Sequence, residues 1–156
     1  MRLLLLAIPL IATLGCTSSS LSEGTEKAQV IQVVDAFMRS IKEQDSKLMA
    51  SVTADEGTAS GLIYKDGNAA FHSESFDEGR KRLARGDEAE WVESYRDPIV
   101  LIHKGVAVFW APYSMEVDGI QVHCGIDVFN LAKVDEDWKI VSIQFTAEPE
   151  GCPDQD

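Results

Sequence analysis

From Thr25 to Gln44 apolar residues recur every three or four positions, at Val30, Ile31, Val33, Val34, Phe37, Met38 and Ile41. Asp35, Arg39, Lys42 and Glu43 fall on the other side, so the spacing predicts a helix with one broad buried stripe. Asp45 is placed to cap a short second helix, Ser46–Val52, which turns Leu48, Met49 and Val52 inward. Thr53-Ala54-Asp55-Glu56-Gly57 reads as a breaker run. Two short strands, Ser60–Lys65 and Ala69–Ser73, are predicted around Asp66-Gly67, a dipeptide suited to the positive φ angles of a tight hairpin. Ser75-Phe76-Asp77-Glu78 is a capping box, which starts a third helix near Phe76 and lets it run to Arg85, with Gly86 as its stop. A long strand, Glu90–His103, follows, with Asp97-Pro98 as a kink or edge feature because proline cannot donate to a ladder. Val106–Thr146 then predicts three long strands joined by tight turns at Asp118-Gly119 and Asp135-Glu136.

Two-residue turns fix a register. Val117 opposite Ile120 sets Tyr113 against Cys124, Ala111 against Ile126 and Trp110 against Asp127. The second turn sets Val128 against Ile143, Ile126 against Phe145 and Asp127 against Gln144. One face then carries Phe109, Ala111, Tyr113, Met115, Cys124, Ile126, Val128, Val141, Ile143 and Phe145, and is expected to pack on the first helix and line any cavity. The other mixes Trp110, Phe129, Leu131, Trp138 and Ile140 with Ser114, His123, Asp127, Ser142 and Gln144. A sheet apolar on both sides calls for cover on the second side too. A single bulge would reverse the assignment.

At 156 residues the chain has room for one domain and a processing segment. MRLLLLAIPLIATLGC offers one cation, Arg2, an apolar run from Leu3 to Leu14 too short to span a bilayer, and Gly15 before Cys16. Thr13-Leu14-Gly15-Cys16 resembles a bacterial lipobox, in which the cysteine is lipidated, while Thr13 with Gly15 also suits an ordinary signal peptidase. The expected organisation is a signal peptide over 1–15, a Ser-rich tether over 16–24 following a lipidated Cys16, the domain over 25–152 and a tail over 153–156. That makes the protein exported to the bacterial cell envelope or periplasm and anchored to the membrane by lipid alone. The formal net charge is −12, and losing Arg2 with the leader would make it more negative still. Such a surface repels nucleic acid and anionic lipid, so no nucleic-acid partner is expected. Arg80, Lys81, Arg82 and Arg85 form the one cationic cluster, read either as a solvated helix face complementing the macrodipole or as a contact for an anionic ligand.

The order helix, helix, hairpin, helix, then four long strands is α+β. It resembles the nuclear transport factor 2-like superfamily, with its SnoaL-like cyclases and ketosteroid isomerases. The resemblance spans about Thr25 to Cys152 and is carried by helix Val30–Ile41, Val108-Phe109-Trp110-Ala111-Pro112-Tyr113, His123-Cys124-Gly125-Ile126-Asp127-Val128-Phe129 and Trp138-Lys139-Ile140-Val141. It implies a curved mixed or antiparallel sheet wrapped around the N-terminal helices to form a cone. It also implies a homodimer through the sheet face holding Trp110, Phe129 and Gln144, with His123 and Asp127 as interface residues. The superfold hosts enzymes, scaffolds and binders alike, so function must come from the site.

His123 and Asp127 are the catalytic candidates. Four residues apart on one strand, their Cα atoms would lie about 13 Å apart, too far for a base and its orienter to bond directly. Ile126-Asp127-Val128 resembles the strand on which the isomerases keep a protonated acid for an oxyanion, an acid that works only when desolvated and facing the cavity. The companion carboxylate those enzymes carry on the first strand after the second helix has no counterpart at Ala59-Ser60-Gly61. Tyr113 and Tyr64 are expected as hydrogen-bond donors to a ligand, with Cys124 and Phe145 beside them. Cys124 and Cys152 form either a disulfide or a buried thiol and a free tail cysteine. His123 and Cys124 point to opposite faces, and His72 and His103 lie on other elements, so neither a metal nor another cofactor is expected. Two functions follow: a non-catalytic tethered domain that binds a small hydrophobic molecule or a protein, favoured by the missing first-strand carboxylate, or an isomerase, cyclase or hydrolase that uses Asp127 with Tyr113 or His123 in the cone.

Overall fold

The computed structural model describes residues 18–152, with side-chain surroundings from residue 24 onward. The expected leader, Cys16 and the 153–156 tail lie outside the described residues. Helix α1 spans Ser18–Lys42 and so begins ahead of Thr25, taking in part of the stretch expected as a tether. Helix α2 covers Ser46–Val52, with the Asp45 side chain accepting from the Lys47 and Leu48 amides. Helix α3 covers Phe76–Arg85 and opens on the reciprocal Ser75–Glu78 capping box.

Among the described residues seven strands form one sheet: β1 (Thr53–Lys65), β2 (Asn68–Ser75), β3 (Trp91–Tyr95), β4 (Ile99–His103), β5 (Val106–Val117), β6 (Ile120–Val134) and β7 (Asp137–Ala147). Their order is β2-β1-β7-β6-β5-β3, with β4 also on β5; β1 and β7 run parallel and the remaining pairs antiparallel. The expected breaker run Thr53–Gly57 is strand, because β1 has a parallel partner in β7 that recruits it despite its polar residues. Its register against β7 shifts between Thr53 and Thr58. The predicted strand Glu90–His103 is divided at Asp97, which takes a φ of 46° ahead of Pro98.

The sheet curls over α1 and encloses one core. Val30, Val34, Phe37 and Met38 pack against Phe109, Phe129, Leu131 and Ile140. Phe129 meets Phe37 and Phe109 edge to face, each with ring centroids 5.6 Å apart. Among the described residues no helix is long and apolar enough to cross a membrane.

Two bulges correct the register read from the turns. Both hairpins start as expected, with Val117 opposite Ile120 and Val134 opposite Asp137. On β6, Gln121 pairs with Glu116 but His123 pairs with Met115, which leaves Val122 as an extra residue. Beyond it Tyr113 opposes Gly125 and Ala111 opposes Asp127. On β7, Ile140 pairs with Leu131 and Ser142 with Asn130, which leaves Val141 over; Asp127 then faces Phe145 and Val128 faces Gln144. One extra residue turns every later side chain to the opposite face. His123, Asp127, Phe129, Leu131, Trp138 and Ile140, all expected on the outer face, therefore point into the cone.

Candidate functional site

The cone holds a cavity of about 460 Å³ between the sheet, α1, α2 and α3. Its walls are largely apolar, from Phe37, Met49, Phe76, Phe129, Ile143 and Phe145. Strands β3, β5 and β6 contribute Glu93, Tyr113, His123 and Asp127 to its polar lining. At the mouth, Arg82 on α3 is ion-paired to Glu74 at 2.5 Å. The Gln44 amide clasps the turn after α3 by accepting from the Asp87 amide at 2.6 Å and donating to the Asp87 carbonyl at 2.9 Å. Trp91 donates its indole hydrogen to the Asp87 carboxylate at 3.0 Å.

Asp127 is the unusual residue. It is 2 % exposed, and among the described residues its Oδ2 has no hydrogen-bond partner. A carboxylate removed from water without a partner is costly, so the group holds its proton. Burial raises its pKa well above the ordinary value, and the neighbouring Glu93 carboxyl raises it further through charge and hydrogen bonding. Burial also raises Glu93, to about 7, against the opposing effect of its hydrogen bond with Asp127. The two form an acid pair that resists losing its last proton, as two carboxyls sharing one site do.

Tyr113 donates its hydroxyl hydrogen to the Thr146 carbonyl at 2.8 Å, and its oxygen lies 3.1 Å from His123 Nδ1. With that hydrogen committed, the Tyr113 oxygen accepts from His123 Nδ1–H, and in the neutral ring Nε2 remains an open acceptor. Burial lowers the His123 pKa, which keeps the ring neutral. Burial raises the Tyr113 pKa, with the Asp127, Glu93 and Glu148 carboxyls adding to the effect. The close approach of β6 to β7 here needs Gly125, since a Cβ at that position would lie 2.1 Å from the Thr146 carbonyl oxygen.

Of the residues singled out in the sequence, Tyr113, His123, Asp127 and Phe145 meet in the cavity. Assigning His123 and Asp127 to a subunit interface is therefore corrected. Phe129 is corrected likewise: it is core and cavity wall at 1 % exposure, whereas Trp110 and Gln144 do lie on the outer face. Tyr64 is not a cavity residue; it sits near the far end of β1, 38 % exposed, opposite Ala69. Cys124 does not line the cavity either, being joined by a disulfide to Cys152 with the Cα atoms 5.6 Å apart. The cationic α3 face is largely tied down internally, Lys81 to Asp77, Arg82 to Glu74 and Arg80 to the Thr53 hydroxyl. Among the described residues no cluster of histidine, cysteine and carboxylate side chains could hold a metal ion.

Glu93 was not singled out in the sequence. Its signal was the alternation Trp91, Glu93, Tyr95, which puts an acid between two aromatic residues on the inward face of a strand. Reading Glu90–His103 as a single kinked edge strand concealed it.

Compared with solved structures, this arrangement of sheet, helices and cone is the nuclear transport factor 2-like fold, also described as cystatin-like. A nuclear transport factor 2-like protein of unknown function from Shewanella baltica superposes with a TM-score of 0.59 at 18% identity, covering 81% of this chain and 97% of that one. A proposed dehydratase from the nuclear transport factor 2-like family, from Streptomyces avermitilis, gives 0.60 at 16% identity, over 80% of this chain and 97% of its own. A protein of unknown function with a cystatin-like fold from Nostoc punctiforme gives 0.64 at 14% identity, over 81% and 93%. No protein-family model and no curated protein matches the sequence. At these identities the likeness establishes the fold, and the chemistry has to come from the cavity itself.

Proposed function

We propose that the protein binds a small, mostly apolar molecule in the cone, with one polar group of that molecule placed at the Asp127–Glu93 end. The observation that carries this reading is the buried Asp127 Oδ2, unpartnered among the described residues, at a cavity whose walls are largely apolar. A polar atom in that position is stabilised when a ligand supplies the missing hydrogen bond. A neutral naphthyl fluorophore is expected to bind one per chain, and Ala59→Phe, which fills the cavity from β1, is expected to weaken it at least ten-fold. Equal binding by parent and variant, in a fluorescence titration, would place the ligand elsewhere.

The His123 Nε2 acceptor facing the same cavity supports a second reading, proton transfer on a bound carbonyl compound. His123 would act as base and the protonated acid pair as hydrogen-bond donor to the developing oxyanion. The rate would rise with pH as His123 loses its proton, below the ordinary imidazole value of 6.5, and fall as Glu93 ionises at about 7. Deuterium uptake by a bound ketone, followed by NMR across pH, would show this narrow bell. Binding without uptake at any pH leaves the binding function alone.

The binding domain is also proposed to work in the cell envelope, tethered through lipidated Cys16. The Cys124–Cys152 disulfide supports an oxidising compartment. The intact mass of the protein from its native host is expected to show loss of residues 1–15, lipid on Cys16 and no free thiol. A mass that retains the leader and both thiols would overturn this.

A further inference from the structure

The polar part of the cavity lining is rich in carboxyl groups. Glu74, Asp87, Glu93 and Asp127 contribute four carboxyls to its lining, against the single guanidinium of Arg82. Arg82 is spent on Glu74 at 2.5 Å, and Asp87 is occupied by Trp91 at 3.0 Å. Among the described residues no cation is left for Glu93 and Asp127, and the Asp127 Oδ2 meets no hydrogen-bond donor. The other titratable groups near them, His123 on β6 and Tyr113 on β5, are neutral and hydrogen-bonded to each other. The same cavity is lined by Phe37, Phe76, Trp91, Phe129 and Phe145, aromatic rings of a kind whose faces attract positive charge. Two acids walled by aromatic rings and lacking a counter-charge form a receptor for an organic cation.

We propose that the ligand is a small apolar molecule bearing one amine, bound as its ammonium form between Asp127 and Glu93 with its apolar body on the aromatic walls. This rests on the binding function proposed above and names the chemical class. The ammonium donates to the unpartnered Asp127 Oδ2 and supplies the missing counter-charge. The pair no longer needs the proton it holds in the empty cavity, so ligand entry releases that proton to solvent. The proton balance is one ammonium in and up to one proton out, with no net charge brought into the cone when release is complete. A carboxylate ligand has the wrong sign for every free group at this end.

Naphthylmethylamine, naphthylmethanol and naphthoate separate the possibilities, because they share a body and differ only at the polar end. Isothermal titration at neutral pH is expected to give at least ten-fold tighter binding of the amine than of the alcohol, and no binding of the carboxylate. The observed enthalpy for the amine should differ between phosphate and Tris buffers by the proton released, and that difference should shrink as pH rises past the range in which Glu93 ionises. Asp127→Asn and Glu93→Gln, each checked by circular dichroism for native folding, should bring the amine-to-alcohol ratio toward one. If the alcohol binds as well as the amine in the parent protein, the amine proposal fails while the binding function stands. Should none of the three bind, both fail together.

Discussion

Phe129→Ala is expected to lower the free energy of unfolding by about 3–5 kcal/mol, the range for deleting a large buried aromatic side chain. Phe129 is 1 % exposed, meets Phe37 and Phe109 edge to face, and also forms part of the cavity wall. Its removal loses two ring contacts and enlarges a space that the surrounding strands cannot close. The measurement is urea unfolding at several protein concentrations. A core residue gives a loss that does not depend on concentration. An interface residue, which the register read from the turns would make it, gives a midpoint that moves with concentration while the protomer keeps its stability.

The double variant Cys124→Ser, Cys152→Ser is expected to lose about 3–4 kcal/mol, from the loop entropy restored to the unfolded chain across a separation of 28 residues. The effect has a local side as well. Cys124 exchanges backbone hydrogen bonds with Glu148, at 3.0 and 2.8 Å, just past the Thr146 carbonyl that holds the Tyr113 hydroxyl. Hydrogen exchange of the Cys124 and Glu148 amides should therefore accelerate more than that of β5 amides farther from the disulfide. Urea midpoints matching those of the parent protein would show that the disulfide closes a loop already held shut by the sheet.

The helices, the hairpin at Asp66-Gly67 and the starts of both later hairpins were legible in the sequence because each rests on a local signal: an apolar stripe, a capping box, a two-residue turn. The α+β class followed from their order, and the cone from the family resemblance. Which face His123 and Asp127 occupy was not legible, because it depends on Val122 and Val141, valines whose composition marks them as ordinary strand residues. A turn fixes register only until the first bulge, and these two bulges lie within a few residues of their turns. Tyr113, Met115 and Phe145 were placed correctly because β5 carries no bulge before them and Phe145 lies far enough past Val141 for two compensating errors to cancel. The acid pair itself could not be read from spacing, since Glu93 on β3 and Asp127 on β6 flank β5 from opposite sides, and the pairing of β3 with β5 carries no turn signal.

The break at Asp97-Pro98 bears on something other than ligand chemistry. Uninterrupted, Glu90–His103 would lay a long ladder of unpaired amides and carbonyls along one margin of the sheet, a template on which another chain could add. Instead that margin consists of two strands of 5 residues each, separated by a left-handed Asp97 and by a proline with no amide hydrogen to offer. For a protein whose β4 exposes Ile99 and Leu101 at 52 % and 65 %, this interruption guards against the edge-to-edge growth that leads to aggregates.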